Sequence, residues 1–128
     1  MSKLVLDSWA WIEYFEGSKK GEKVKQVLLD PRDEVFTHSV SLAEIISKAK
    51  RTGMNVDEVW TAVTGNSNVI EGKVEESKNV GITHATIKSR NRNFSLADAI
   101  VLAAARELKA KVLTGDPDFK NIEDAIML

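Results

Sequence analysis

The 128-residue sequence contains no cysteine. Disulfide scaffolds, cysteine-ligated zinc, iron–sulfur clusters and thiol catalysis are thereby excluded. An excess of charge of either sign is also missing: 18 Lys plus Arg stand against 19 Asp plus Glu, a net charge of −1. That balance carries no global electrostatic mark of a nucleic-acid binder. No window approaches the ~18–20 apolar residues of a membrane span. The segment Met1 to Asp7 lacks the apolar stretch and cleavage site of a signal peptide. A cytoplasmic protein without membrane attachment is therefore expected. Neither GxxxxGK(S/T) nor GxGxxG occurs, so NTP and dinucleotide binding lose support. No repeat, low-complexity tract or linker interrupts the chain, which reads as a single domain over 1–128.

What is present alternates between short apolar runs and amphipathic stretches. Lys3 to Asp7, Glu34 to His38, Val69-Ile70, Lys111 to Thr114 and Ala125 to Leu128 read as strands. A helix capped at Ser8 runs to about Glu16, with Trp9, Ile12, Trp11 and Phe15 as its apolar surface. Gly17 and Gly21 bracket a basic loop before a helix carrying Val24, Val27 and Leu28. Ser41-Leu42-Ala43-Glu44 has the form of a capping box and opens the next helix. Asn55 starts another, striped by Val56, Val59, Trp60 and Val63. A weaker helical pattern covers Lys73 to about Lys88, and Ser95-Leu96-Ala97-Asp98 opens an apolar, buried helix. This alternation predicts an α/β fold with a parallel sheet.

The acids are placed informatively. Asp7 ends the first strand, Glu44 and Asp98 lie in first helical turns, and Asp116 follows the fourth strand. Each alone has a structural explanation as a cap, a turn residue or a partner of the helix dipole. Capping does not require four acids from distant segments to meet at one edge. In a parallel sheet, the edge beyond the strands' carboxyl ends is where ligands bind. Convergent carboxylates repel each other and call for a cation, and hard Mg²⁺ or Mn²⁺ suits oxygen ligands. Carboxylate-held metals stabilise in-line displacement at phosphorus, which points to phosphodiester hydrolysis. His38 and His84 stand alone and read as structural.

The segments Leu4-Val5-Leu6-Asp7-Ser8, Ser41-Leu42-Ala43-Glu44-Ile45, Ser95-Leu96-Ala97-Asp98-Ala99 and Leu113-Thr114-Gly115-Asp116-Pro117-Asp118-Phe119 resemble the PIN-domain family. Within it, they look most like the VapC-type toxins of prokaryotic toxin–antitoxin pairs. The resemblance implies a three-layer α/β/α fold with a five-stranded parallel sheet of order 3-2-1-4-5. It implies a Mg²⁺- or Mn²⁺-dependent endoribonuclease, often a homodimer, blocked by a cognate antitoxin. By position, Asp7, Glu44, Asp98 and Asp116 would be catalytic and hold metal, Asp118 would be a further ligand, and Thr114 a site hydroxyl. An RNA-processing PIN nuclease would use the same acids. A phospho-accepting receiver module would carry adjacent acids after the first strand, and here Asp7 is followed by Ser8.

RNA approaching an acidic pocket needs a basic rim. Lys48 and Arg51 follow Glu44 at helical spacing, and Lys88, Arg90 and Arg92 precede the Asp98 helix. These are candidate phosphate contacts. Trp9 and Trp11, beside Asp7, fit core or dimer packing, with base stacking also open to them. Trp60 fits core or interface.

Overall fold

The computed structural model describes residues 2–128. Strand β1 (Ser2–Leu6) contains the unbroken apolar run Leu4-Val5-Leu6, which suits a strand buried on both faces. Its side chains alternate: Leu4 and Leu6 enter one core, Val5 the other. The chain continues through α1 (Ser8–Glu16), α2 (Lys19–Leu29), β2 (Asp33–His38), α3 (Ser39–Arg51), α4 (Val56–Asn66) and β3 (Asn68–Ile70). A short 3-10 turn at Val74–Glu76 leads into α5 (Ser77–Lys88), followed by α6 (Leu96–Leu108) and β4 (Lys111–Thr114). A second 3-10 turn, Pro117–Phe119, precedes β5 (Ala125–Met127).

Every neighbouring strand pair is parallel, and the order is β3-β2-β1-β4-β5. This is the α/β architecture and strand order that the family resemblance implies. The chain adds β2 and β3 on one side of β1, then crosses over to add β4 and β5 on the other. The crevice between the ends of β1 and β4 is therefore the topological switch point, where the flanking segments part. The two edge strands, β3 and β5, have three residues each.

One core lies under α1 to α4, with Trp11, Val24, Leu42, Ile45 and Val63 packed on Leu4 and Leu6. The other lies under α5 and α6, with Ile87, Phe94, Leu102 and Phe119 packed on Val5, Phe36 and Val112. Trp11 is fully buried, and its Nε1 donates to Thr37 Oγ1 at 3.0 Å, so its one polar atom is satisfied. Trp60, by contrast, is half exposed on α4, while Val59 and Val63 of the same stripe are buried. No helix among the described residues is long and apolar enough to cross a membrane.

Three local expectations are corrected. Asp7, and not Ser8, caps α1: its Oδ1 accepts from the Ala10 N–H at 2.9 Å. Gly21 belongs to α2, not to a loop. A Cβ there would lie 2.0 Å from the Glu13 carbonyl oxygen, so the glycine permits the close approach of α2 to α1. Helix α3 starts at Ser39, two residues before the apparent capping box. His38 is its N-cap, with Nδ1 accepting from the Val40 N–H at 3.0 Å. Ser41 is consequently inside the helix, fully buried, with its Oγ unpartnered among the described residues.

Candidate active site

Seven acids line one cavity of about 480 Å³ at the switch point, and five of them, Asp7, Glu44, Asp98, Asp116 and Asp118, converge on it from four segments. Asp7 reaches it from the end of β1. Capping α1 uses one of its oxygens, and its Oδ2 accepts from the Thr114 hydroxyl at 2.5 Å. Thr114 Oγ1 in turn accepts from the Asp116 N–H at 2.9 Å, and Asp116 Oδ1 accepts from the Asp118 N–H at 2.9 Å. A continuous hydrogen-bond chain thus ties the ends of β1 and β4 together and fixes three acids relative to one another.

Asp98 enters from the first turn of α6. There the expected capping box is complete: Asp98 Oδ2 accepts from the Ser95 N–H at 2.9 Å, and Ser95 Oγ accepts from the Asp98 N–H at 3.0 Å. Asn91 fixes Asp118 through its Nδ2, which donates to the Asp118 carbonyl at 3.2 Å and to its carboxylate at 3.4 Å. Glu44 arrives from the second turn of α3, where it meets the Ser8 side chain. Because α3 begins at Ser39, Glu44 performs no capping. The structural explanation for this acid is gone, and its place in the cavity wall remains.

Carboxylate oxygens of Asp98, Asp116 and Asp118 lie within 4.8 Å of one another. No Lys or Arg forms an ion pair with any of the five acids among the described residues; the ion pairs are Arg32–Asp30, Arg106–Asp124 and Lys111–Asp124. Four of the acids share one electrostatic consequence. Burial pushes the Asp7 carboxyl up from 3.8 to about 7. Hydrogen bonds from Thr114 and Ala10 oppose the shift, and the charges of Asp116 and Asp98 add to it. Glu44, Asp98 and Asp116 are raised as well, burial being the largest cause in each. A site built to exclude water from unpaired carboxylates fits a hard divalent cation, whose charge would restore them to the ionised form. The all-oxygen donor set suits Mg²⁺ or Mn²⁺.

The rest of the wall is divided. Helix α3 contributes Glu44, Lys48 and Arg51, spaced i, i+4, i+7 along one face. Helix α1 contributes Trp9, Ile12, Glu13 and Glu16, also one face. Trp9 and Ile12 thus face the cleft, while Ala10 and Trp11 are the fully buried residues of α1. Glu13, Glu16 and Asn93 were not singled out in the sequence. Counting i, i+3, i+4 and i+7 from Trp9 would have found the two glutamates. Arg90 lies in a neighbouring depression that shares Asp118, and Arg92 lines neither. Lys88 is turned to its own loop, donating to the Arg92 carbonyl at 2.8 Å. Neither histidine lines the acidic cavity: His38 caps α3, and a ring nitrogen of His84 bonds the Phe94 carbonyl at 3.2 Å.

Thr114→Val tests the hydrogen-bond chain. The isostere leaves the Asp116 N–H without its acceptor and removes the bond that opposes burial at Asp7. Expected are a loss of about 1–3 kcal/mol in urea unfolding and a further rise of the Asp7 pKa. Unchanged stability with an unchanged pH profile would show that the chain is incidental.

Fold and site together define a doubly wound α/β protein with an acidic cleft at its switch point. The PIN domain family model matches residues 4–125, so the chain belongs to the PIN domain family. The receiver reading is thereby removed. Similar solved structures include VapC20 of Mycobacterium tuberculosis, described as a sarcin-ricin loop cleaving toxin (TM-score 0.75, 16% identity, 94% of this chain and 95% of that chain). VapBC-1 from nontypeable Haemophilus influenzae is also similar (TM-score 0.70, 23% identity, 98% and 96%). So is a toxin–antitoxin complex from Klebsiella pneumoniae (TM-score 0.70, 20% identity, 97% and 96%). At these identities the likeness is one of fold. A search of curated proteins gives no match.

Proposed function

We propose that this protein is a Mg²⁺- or Mn²⁺-dependent endoribonuclease hydrolysing RNA phosphodiester bonds, and the toxin of a VapBC-type pair. The carrying observation is the convergence of Asp7, Glu44, Asp98, Asp116 and Asp118 on one partly buried cavity, none of them in an ion pair among the described residues. Family membership and the toxin–antitoxin context of the similar structures support the nuclease and toxin readings. In this reading the protein is cytoplasmic, forms a homodimer and is restrained by a cognate antitoxin.

Asp98, Asp116 and Asp118 would hold the cation, with Asp7 and Glu44 completing the acidic wall. A divalent cation supplies Lewis-acid activation of the scissile phosphodiester. Thr114 orients Asp7, and Ser95 and Asn91 orient Asp98 and Asp118, so the carboxylates need little reorganisation when charge develops. Lys48 and Arg51 supply the basic side of the cleft and bind flanking phosphates. The test is RNA cleavage with added Mg²⁺ or Mn²⁺, comparing wild type with Asp7→Asn and Asp98→Asn. Equal activity in all three sinks the site assignment.

The position of the rim cations gives a second measurement. Replacing Lys48 and Arg51 together by alanine is expected to weaken RNA binding and flatten its salt dependence by about 1.4 log units per log unit of salt, two phosphates at ~0.7 each. The Arg90→Ala, Arg92→Ala pair, outside the cleft, should have the smaller effect. The reverse order would move the RNA path to the loop before α6.

A further inference from the structure

The tryptophan at the mouth of the cleft belongs to neither hydrophobic core. Trp11, two residues on, is fully buried and hydrogen-bonded, whereas Trp9 is 41% exposed and lines the acidic cavity. No hydrogen bond holds the Trp9 Nε1 among the described residues. What holds the ring is the backbone after β4. A Cβ built on Gly115 would lie 2.8 Å from both Cδ1 and Nε1 of Trp9, and 3.6 Å from Cδ of Lys20. Gly115 does not have a positive φ, so its backbone alone does not demand glycine. The missing side chain makes room for the indole, which rests against the chain one residue before Asp116.

We propose that Trp9 is a stacking platform for an unpaired nucleobase next to the scissile phosphate. It thereby selects single-stranded over duplex RNA. This rests on the endoribonuclease reading and specifies the substrate's local structure. Three features support it. The indole is backed by the Gly115 main chain and presents surface to the cleft, and a ring already placed loses less entropy on stacking. It adjoins the acids, so a base on it leaves the adjoining phosphate within the carboxylate cluster's reach. The two walls also differ in charge: α3 offers Lys48 and Arg51 to phosphates, whereas Glu13 and Glu16 on α1 repel them. Phosphates favour the α3 side, which turns bases toward α1 and Trp9.

The test uses oligo(A) and oligo(U) of about ten nucleotides and a self-complementary RNA duplex, with Mg²⁺ in an Asp98→Asn background for binding and in the otherwise wild-type chain for cleavage. Trp9→Ala should bind single strands roughly tenfold more weakly while duplex binding changes little. Trp9→Phe should restore most of the affinity but lose the tryptophan quenching that accompanies binding. In cleavage, KM should rise more than kcat falls. Gly115→Ala should mimic Trp9→Ala, and the double variant should be no worse than either, as expected for coupled neighbours. Trp9→Ala that binds and cleaves like the unaltered protein overturns the proposal, as does a defect confined to antitoxin binding. If the unaltered protein neither binds nor cleaves RNA, the endoribonuclease reading falls and takes this inference with it.

Discussion

Asp7→Asn is expected to yield a protein that is more stable without metal and nearly inactive with it. Unfolded, Asp7 releases its proton near 3.8; folded, near 7. Between those values the folded state binds more protons, so stability falls as pH rises through the window and stays low above about 7. The cost of holding the carboxylate ionised is about 4 kcal/mol at most. Asparagine keeps an oxygen to cap α1 and discards the charge. Metal-free Tm at pH 8 should rise by about 5 °C or more, and the gain should vanish below about pH 3, where aspartate is neutral in both states. RNA cleavage should fall by more than about 100-fold. A variant no more stable than wild type at pH 8 would show that the buried carboxylate is not held at a cost.

Metal should reverse the same cost. Saturating Mg²⁺ or Mn²⁺, at about 100 times the dissociation constant, should add about 2.7 kcal/mol, a rise in Tm of roughly 10 °C. Chelator should abolish both the rise and cleavage. Cation binding requires ionised carboxylates. Because Asp7, Glu44, Asp98 and Asp116 are all raised, protons should compete increasingly as pH falls below about 7. Asp116→Asn retains an oxygen for the Asp118 N–H but should weaken the cation at least about tenfold. A melting temperature indifferent to both ions would remove the metal from the proposal.

Much of this arrangement was legible because it is local. The Ser95–Asp98 box spans four residues and forms as its spacing predicts. Apolar runs ending in Asp7 and just before Asp116 marked strand ends, and strand ends in a parallel sheet share one edge. The start of α3 was not legible. Ser41 looks like the better cap locally, but packing buries it and His38 takes the position. Gly21 misled for a related reason: a glycine required by a neighbouring helix looks, in sequence, like one required by a turn. Asp118, which meets Asp98 in the cluster, is held in part by Asn91, 27 residues away from it, and no local pattern records that pairing. Net charge was the least informative quantity, because it sums an acidic cavity with a basic wall beside it.

The edges of the sheet bear on how copies of this chain can meet. β3 and β5 have three residues each, too short to offer a long ladder of free N–H and C=O groups. Growth of the sheet from one molecule into the next is therefore a poor route to association. It is also a poor seed for fibrils, even at the high local concentrations of overexpression. Two copies that pair would do so through surfaces other than the strand edges, leaving undisturbed the strands that hold the acids.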